Sequence, residues 1–238
     1  MGYAFLPGFL SLERMAELTK WIREILSWSE KSGKHMIYFE DEEVSPGKKL
    51  ANRIENFVPY HKGFNNFCST SELMECIAIL LGEEAVLFKD KINLKPPGGR
   101  PFTPHQDSSA GWSEYTDFFI TAMVPIDENT VENGCLEISP KNYQRSLISK
   151  KWKPIEGEEL ELIQWQSMPM KPGDVLFFDS YMPHQSHKNY SEHPRRNLYL
   201  TFNRKDDGDF REKYYADKRR NYPPDCERQV GKTYFFRV

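Results

Sequence analysis

The chain has 238 residues and a formal net charge of −3, with 39% hydrophobic and 28% charged residues. This balance is typical of a globular protein and argues against a disordered or fibrous chain and against non-specific binding to nucleic acid. No apolar run approaches the roughly 20 residues that a membrane helix needs, and the first residues lack a basic segment followed by a long apolar stretch. We therefore expect a cytoplasmic protein without a membrane span. Its length fits one domain over residues 1–238. The four cysteines contain no C-x-x-C pair and do not form the pattern of a disulfide framework.

Two amphipathic helices are predicted in the first third of the chain. The first begins after Ser11, where apolar residues recur every three or four positions: Leu12, Met15, Leu18, Trp21, Ile22, Ile25 and Leu26. The second is predicted to begin near Ser71, whose hydroxyl can cap free backbone amides, and to end at Gly82.

The segment between these helices is polar. Residues 28–66 show no sustained period, and Ser45-Pro46-Gly47 is a turn signal, so we expect a long connection. Long ordered loops are often binding elements. Residues 35–60, which include Tyr38, Arg53, Glu55 and Asn56, either fold over the mouth of the β domain that follows and select substrate, or support the helices.

Short β-like runs separated by turns containing Pro and Gly follow Gly82. They cover residues 86–93, 117–125, 136–138, 174–178 and 195–203. This pattern of short runs and turns predicts a mostly β protein with flanking helices. The favoured architecture is an antiparallel double sheet folded as a cupin-like jelly roll. The helices then occupy residues 11–82, the β core about 85–203, and a C-terminal extension 204–238.

The sharpest local motif is His105-Gln106-Asp107, which follows a turn-rich segment. In a strand, positions i and i+2 point to the same side, so His105 and Asp107 can reach one metal ion while Gln106 turns away. Two histidines and one carboxylate leave coordination positions open and are typical of iron(II) oxygenases. An H-x-D motif also occurs in many proteins that bind no metal. The prediction of a metal site therefore needs a third ligand elsewhere in the chain.

The third ligand is predicted at the exit of a second apolar strand. Residues 175–179 are apolar up to an aspartate, and the chain continues to His184-Gln185-Ser186-His187. His184 is the preferred ligand and His187 is its competitor, since the two point to opposite sides if the strand continues. Ser186 shares the side of His184 and can donate a hydrogen bond to a molecule bound beside the metal. A surface-loop histidine is the alternative for His184.

The strand 195–203 alternates between a polar and a largely apolar face. Arg195 begins the polar face, where a guanidinium can bind a carboxylate through two parallel hydrogen bonds. Arg196 begins the other face and is the alternative anchor.

The motif PHQD at 104–107, the strand that ends in PHQS at 183–186, and an arginine eleven residues after His184 resemble the phytanoyl-CoA dioxygenase family. The resemblance extends from residue 87 to 203 and includes the asparagine–glycine turn in 132–140. The sequence Pro140-Lys141-Asn142-Tyr143 departs from the family pattern at this point.

This resemblance implies a double-stranded β-helix that uses iron(II), 2-oxoglutarate and O2. It implies that His105, Asp107 and His184 bind iron and that Arg195 binds 2-oxoglutarate. Three further positions match residues that contact the cosubstrate in the family: Asn93, Ser186 and Thr121. Halogenating relatives replace the acidic ligand with a small residue, so the presence of Asp107 implies hydroxylation or a related oxidation.

Two competing functions use the same fold. A cupin-type dioxygenase that does not use 2-oxoglutarate has no need of Arg195. A non-catalytic jelly-roll binding module has no reason to keep all three candidate ligands.

The sequence around Lys89, Lys91 and Lys95 resembles the small-molecule hydroxylases that include the 2-aminoethylphosphonate-oxidising branch of the family. Together with a cluster of basic residues between 195 and 220, these lysines suit a small anionic substrate such as a phosphonate or carboxylate. The alternative is that they form the exposed side of an edge strand. Lipid or acyl-CoA substrates, peptide side chains and natural-product scaffolds remain open.

Overall fold

A computed structural model describes residues 2–41, 47 and 49–234 of the chain. The strands are β1 (Tyr3–Leu6), β2 (Met36–Asp41), β3 (Lys49–Glu55), β4 (Ala85–Lys95), β5 (Phe102–His105), β6 (Ile120–Pro125), β7 (Leu136–Ile138), β8 (Gln166–Met168), β9 (Val175–Asp179), β10 (His184–Ser186) and β11 (Arg195–Arg204). The helices are α1 (Leu12–Leu26), α2 (Lys62–Thr70), α3 (Glu72–Leu81), α4 (Glu158–Glu161) and α5 (Arg211–Asn221).

These strands form two antiparallel sheets. The larger sheet has seven strands in the order β1-β9-β6-β11-β4-β3-β2, and the smaller has four in the order β5-β10-β7-β8. Apolar residues of both sheets pack together in one cluster that includes Met123, Tyr199, Leu136 and Ile138. The chain is therefore a jelly roll with flanking helices, which confirms the predicted fold class.

The outer face of the larger sheet is apolar and carries the helices. Ile92 of β4 and Leu198 and Leu200 of β11 belong to one buried cluster with Leu18 of α1 and Ile77 of α3. Burial of such side chains stabilises the fold by about 1.5–3 kcal/mol each before entropy is considered. The helices thus cover the apolar face that strand alternation creates.

The helix boundaries follow the predicted capping residues. The Ser11 hydroxyl accepts a hydrogen bond from the Arg14 backbone amide at 3.1 Å, and α1 begins one residue later. Gly82 ends α3 with a φ of 81°, in the left-handed region that favours glycine. Ser71 precedes α3 as predicted, but the prediction that its hydroxyl caps the helix is wrong, because that hydroxyl makes no capping hydrogen bond.

The inner face of the larger sheet is apolar on β6 and β9 but largely polar on β3, β4 and β11. Residues that lie directly opposite each other on neighbouring strands share a face. Arg195, Asn197 and Tyr199 of β11 lie opposite Lys95, Asn93 and Lys91 of β4. The same row continues onto β3, where Arg53 and Glu55 lie opposite Asn93 and Lys91. Charged and amide side chains therefore fill the part of the inner face that β3, β4 and β11 form.

The prediction of a long irregular connection over residues 28–66 is wrong. This segment contains β2 and β3, which extend the larger sheet at one edge, and α2. The alternation is hidden in the sequence because the inward positions Tyr38, Arg53 and Glu55 are polar and face the interior of the molecule. Ser45 and Pro46 of the predicted turn lie outside the described residues.

The C-terminal extension contains α5, which packs against β4. Tyr214 and Tyr215 of this helix are buried. None of the helices in the described part of the chain has the length and hydrophobicity needed to cross a lipid bilayer. All four cysteines are free thiols, and Cys68 and Cys135 are buried.

Candidate metal centre and cavity

Three side chains with metal-ligating atoms converge between the two sheets. His105 is the last residue of β5 and His184 is the first residue of β10. These strands are antiparallel neighbours with His184 opposite His105, and the two imidazole ring centres lie 4.2 Å apart. Asp107 completes the group, in which one ligand atom from each residue lies within 4.8 Å of the others.

Asp107 reaches this point by a route that strand alternation did not predict. β5 ends at His105, and Asp107 begins the 3-10 turn Asp107–Ala110. The intervening Gln106 points elsewhere, because its side-chain amide donates to two backbone carbonyl groups at 3.0 and 2.7 Å. His105 and Asp107 therefore approach each other as predicted, but a tight turn rather than an extended strand brings them together.

The hydrogen bonds of the two histidines fix which nitrogen can bind a metal. His105 Nδ1 lies 2.6 Å from the carbonyl oxygen of Thr103, and His184 Nδ1 lies 2.9 Å from that of Met182. A carbonyl oxygen only accepts, so each Nδ1 must carry the proton and donate it. Each Nε2 then presents its lone pair, which is the usual arrangement of metal-bound histidine.

The charge state of the three groups also fits a divalent ion. Burial, together with the neighbouring His184, lowers the pKa of His105 to about 3, and burial also lowers the pKa of His184. Burial opposes ionisation of Asp107, but His184 and Lys91 outweigh it, so the pKa of Asp107 lies below its usual value. Two neutral imidazoles and one carboxylate are the donor set that iron(II) oxygenases use.

His187, the competing third ligand, lies away from this group. Its side chain is 61% exposed, and its Nε2 lies 3.0 Å from a carboxylate oxygen of Glu137. Of the two candidate histidines, the structure brings only His184 to His105 and Asp107.

A cavity of about 510 Å³ opens beside the three residues. Its wall includes residues of both sheets, of the 3-10 turns after β5, and of α5. The polar and charged wall residues include Arg53, Glu55, Lys89, Lys91, Asn93, Glu114, Ser186, Lys213, Asp217, Lys218 and Arg220. The cavity is large enough for two small molecules to lie side by side next to a metal ion.

Arg195 lies just behind this wall. Its side chain is 1% exposed, donates a long hydrogen bond of 3.4 Å to Asn129, and leaves its Nε without a hydrogen-bond partner. No carboxylate in the described ranges forms an ion pair with it. A buried guanidinium in this state can bind the carboxylate of a ligand.

Arg196 points to the other side of β11, as alternation predicts. Its guanidinium donates to both carboxylate oxygens of Asp127, at 2.8 and 2.6 Å, and the side chain is 21% exposed. Arg196 is therefore already engaged and turned away from the cavity.

The other three predicted cosubstrate residues divide into two groups. Asn93 and Ser186 line the cavity, and the Ser186 hydroxyl accepts a hydrogen bond of 2.7 Å from Lys95 Nζ. Thr121 lies at a small recess behind Asp107 and shares a hydrogen bond of 2.9 Å with Thr201. Asn93 and Ser186 can thus contact a ligand in the cavity, whereas Thr121 lines the recess and not the cavity.

The lysines of β4 are not on an edge strand, because β4 lies between β11 and β3. The edge-strand interpretation of Lys89, Lys91 and Lys95 is therefore wrong. Lys91 Nζ lies 4.7 Å from the ring centre of Tyr199, and Lys89 and Lys91 both line the cavity. Neither lysine forms an ion pair with a carboxylate among the residues described. Burial and the neighbouring Lys89 lower the pKa of Lys91 to about 7.

α5, a helix that the sequence did not predict, brings residues of the basic cluster between 195 and 220 to the cavity. Its Lys218 forms a buried ion pair with Glu55, and its Arg211 forms one with Asp90. Both contacts anchor the helix on the larger sheet. The sequence carries little signal for this role, because the buried face of α5 consists of tyrosines and paired cations rather than aliphatic residues.

Comparisons with known proteins agree with this geometry. Residues 1–197 match the family model of phytanoyl-CoA dioxygenase. The chain is 40% identical over 222 residues to a methylphosphonate hydroxylase of Gimesia maris, covering 93% of the chain and 84% of that protein. It is 38% identical over 234 residues to a 2-aminoethylphosphonate dioxygenase of an uncultured bacterium, covering 98% of the chain and 89% of that protein.

A solved structure has the same fold. EctD from S. alaskensis, determined with 2-oxoglutarate and 5-hydroxyectoine, matches with a TM-score of 0.73 and 24% identity. The match covers 87% of this chain and 73% of that one.

Replacing any of His105, Asp107 or His184 with alanine should lower iron(II) affinity by about 100-fold or more, because losing a direct ligand costs more than losing an outer-shell partner. Iron content after anaerobic loading and gel filtration measures this.

His187→Ala is the matched control and should retain iron and turnover. If His184→Ala bound iron fully and His187→Ala lost it, the third ligand would be His187 and not His184.

Proposed function

The chain belongs to the phytanoyl-CoA dioxygenase family, and we propose that this iron(II)- and 2-oxoglutarate-dependent dioxygenase hydroxylates a small organophosphonate. The observation that carries the proposal is the pair Lys89 and Lys91, which line the cavity beside the candidate metal residues without a carboxylate partner in the described ranges. Two relatives are named for phosphonate substrates, which supports the same substrate class.

His105, Asp107 and His184 would hold the iron through two Nε2 atoms and a carboxylate. When bound, iron(II) with 2-oxoglutarate and O2 supplies the oxidising power that places one oxygen atom in a C–H bond of the substrate and the other in succinate, with release of CO2. The protein contributes position and exclusion of water, as in other cofactor enzymes. The carbonyl groups of Thr103 and Met182 hold both imidazoles in the required tautomer.

Arg195 would bind the distal carboxylate of 2-oxoglutarate. Burial makes a paired guanidinium–carboxylate contact stronger than it would be in water. Ser186 and Asn93 line the cavity and would add hydrogen bonds to the cosubstrate. Thr121 would act indirectly, through the recess behind Asp107.

Lys89 and Lys91 would bind the phosphonate group. Two neighbouring ammonium groups destabilise each other, and the lowered pKa of Lys91 reflects burial first and this repulsion second. A phosphonate dianion placed between them removes the repulsion and accepts their hydrogen bonds. The carbon next to phosphorus would then face the metal residues.

The competing functions are less well supported. A cupin-type dioxygenase that does not use 2-oxoglutarate leaves the buried Arg195 without a role. A non-catalytic binding module leaves the His–Asp–His group without a role. Family membership and the dioxygenase relatives favour the 2-oxoglutarate-dependent enzyme over both.

Arg195→Ala should raise the apparent Michaelis constant for 2-oxoglutarate by on the order of 10²-fold, because the carboxylate loses its buried partner. Iron content should be unchanged. Arg195→Lys should rescue activity only partly, since it keeps the charge but loses the paired hydrogen bonds.

Arg196→Ala is the control and should leave the Michaelis constant for 2-oxoglutarate within a few-fold of the parent value. If Arg196→Ala and not Arg195→Ala weakened 2-oxoglutarate binding, the anchor would be on the other face of β11. If neither did, the cosubstrate assignment would be wrong.

Phosphonates should stimulate succinate formation above the uncoupled background, and Lys91→Met should raise their Michaelis constant by about 10- to 100-fold. Methylphosphonate and ethylphosphonate are suitable first substrates, with hydroxylated product followed by mass spectrometry. The Michaelis constant for 2-oxoglutarate should not change in this variant.

The matched control is Lys171→Met, an exposed lysine outside the cavity wall, which should behave as the parent protein. Failure of every phosphonate to raise succinate formation would remove the proposed substrate class.

A further inference from the structure

Every carboxylate on the cavity wall already has a partner within the described residues. Asp107 belongs to the candidate metal group. Glu55 is fully buried and is paired with Lys218 and with Arg53, the latter at 3.1 Å. Glu55 Oε1 makes no hydrogen bond but faces the Arg53 guanidinium, so every wall carboxylate on the larger sheet already has a cationic neighbour or belongs to the metal group.

The two acidic residues nearer α5 are also paired. Glu114 accepts from Lys151 at 2.5 Å. Asp217 accepts from Lys213 at 3.0 Å and from the Tyr115 hydroxyl at 2.9 Å, and it also pairs with an arginine of its own helix. An ammonium group that entered the cavity would compete with the protein's own cations for these carboxylates.

Aromatic rings of the wall also have cationic side chains of the protein close to them. Lys89 Nζ lies 5.2 Å from the ring centre of Trp112, and Lys213 Nζ lies 4.5 Å from that of Tyr115. A cation over an aromatic face is the other common means of binding an ammonium group. Here the protein's own lysines use these faces.

The charges of the wall favour an anion. Six Lys or Arg side chains line the cavity together with four carboxylates, so cationic side chains outnumber anionic ones. Bound iron(II) and 2-oxoglutarate would carry opposite charges that cancel, which leaves this balance unchanged. A zwitterionic aminophosphonate would bring an additional positive charge into a wall that is already positive.

We propose that the cavity selects phosphonates that carry no ammonium group, and that Lys218 enforces this selection by occupying Glu55. The inference rests on the proposed function. The two relatives do not decide it, because one is named for a phosphonate without an amine and the other for one with an amine. The paired state of the carboxylates favours the first kind.

Glu55 is the residue through which the selection would act. It lies directly opposite Lys91 in the β3–β4 ladder, so its carboxylate is beside the expected position of the phosphonate. Its partner Lys218 comes from α5, which lies beyond the residues that match the family model. Lys218 thus lies outside the residues that match the family model.

The test compares ethylphosphonate with 2-aminoethylphosphonate, which differ by an ammonium group in place of a hydrogen atom. Succinate and hydroxylated product are measured for both with the full chain loaded with iron(II) and 2-oxoglutarate. We expect kcat/KM to be higher for ethylphosphonate by about tenfold or more, since an uncompensated charge must be desolvated. Equal values, or a preference for 2-aminoethylphosphonate, would overturn the inference and leave the proposed function intact. No turnover of either compound would count against the proposed function itself.

Lys218→Met tests the role assigned to α5. It should shift the ratio of the two kcat/KM values toward 2-aminoethylphosphonate by about tenfold, because Glu55 becomes able to receive the ammonium group. Lys218→Arg keeps the ion pair and should retain the parent ratio, and so should Lys171→Met. An unchanged ratio in a folded Lys218→Met protein, as judged by its thermal midpoint and iron content, would contradict the role of Lys218. The comparison in the parent protein stands even if this variant does not fold.

Discussion

Buried positive charge on the inner face of the seven-stranded sheet is the constraint on which the rest of the structure depends. Arg195 and Lys95 are each 1% exposed, and burial lowers the pKa of Lys95 to about 6 and that of Lys91 to about 7, yet none of these side chains has an ion-pair partner among the described residues. A buried cationic group without a counter-ion is costly, as the lowered pKa values reflect, so a fold that keeps several must gain elsewhere. The apolar outer face with its three helices provides that gain, and anionic ligands complete the inner face.

The sequence predicts the outer face of the sheet better than its inner face. α1 and α3 have apolar residues at helical spacing and recognisable ends at Ser11 and Gly82, so their prediction is confirmed. β3 and α5 were missed because their buried sides carry charged residues and tyrosines. β2 was missed although Met36 and Ile37 are buried, because both of its faces are buried and its residues do not alternate between apolar and polar. Alternation of apolar and polar residues identifies a strand only if one side is buried among apolar neighbours. In β3 the inward residues are Arg53 and Glu55, which look like surface residues in the sequence.

Short motifs located the candidate metal residues, because their spacing is local. His105 and Asp107 are two residues apart, and His184 follows a recognisable apolar strand. Lys89, Lys91, Asn93 and Ser186 of the cavity wall were also named from the sequence. The pairing of the charges on that wall could not be predicted, because it joins residues far apart in the chain. The pairing of Glu55 with Lys218 joins residues 163 positions apart, and no local pattern connects them. The direction of Arg195 was predictable from alternation, but its place behind the wall required the structure.

An anaerobic crystal structure of the chain with iron(II), 2-oxoglutarate and ethylphosphonate would test the proposed arrangement most directly. We expect a metal bound by His105, Asp107 and His184, a 2-oxoglutarate carboxylate on Arg195, and phosphonate oxygens against Lys89 and Lys91. A phosphonate bound elsewhere, or 2-oxoglutarate seated on Lys89 and Lys91 with Arg195 unengaged, would contradict it.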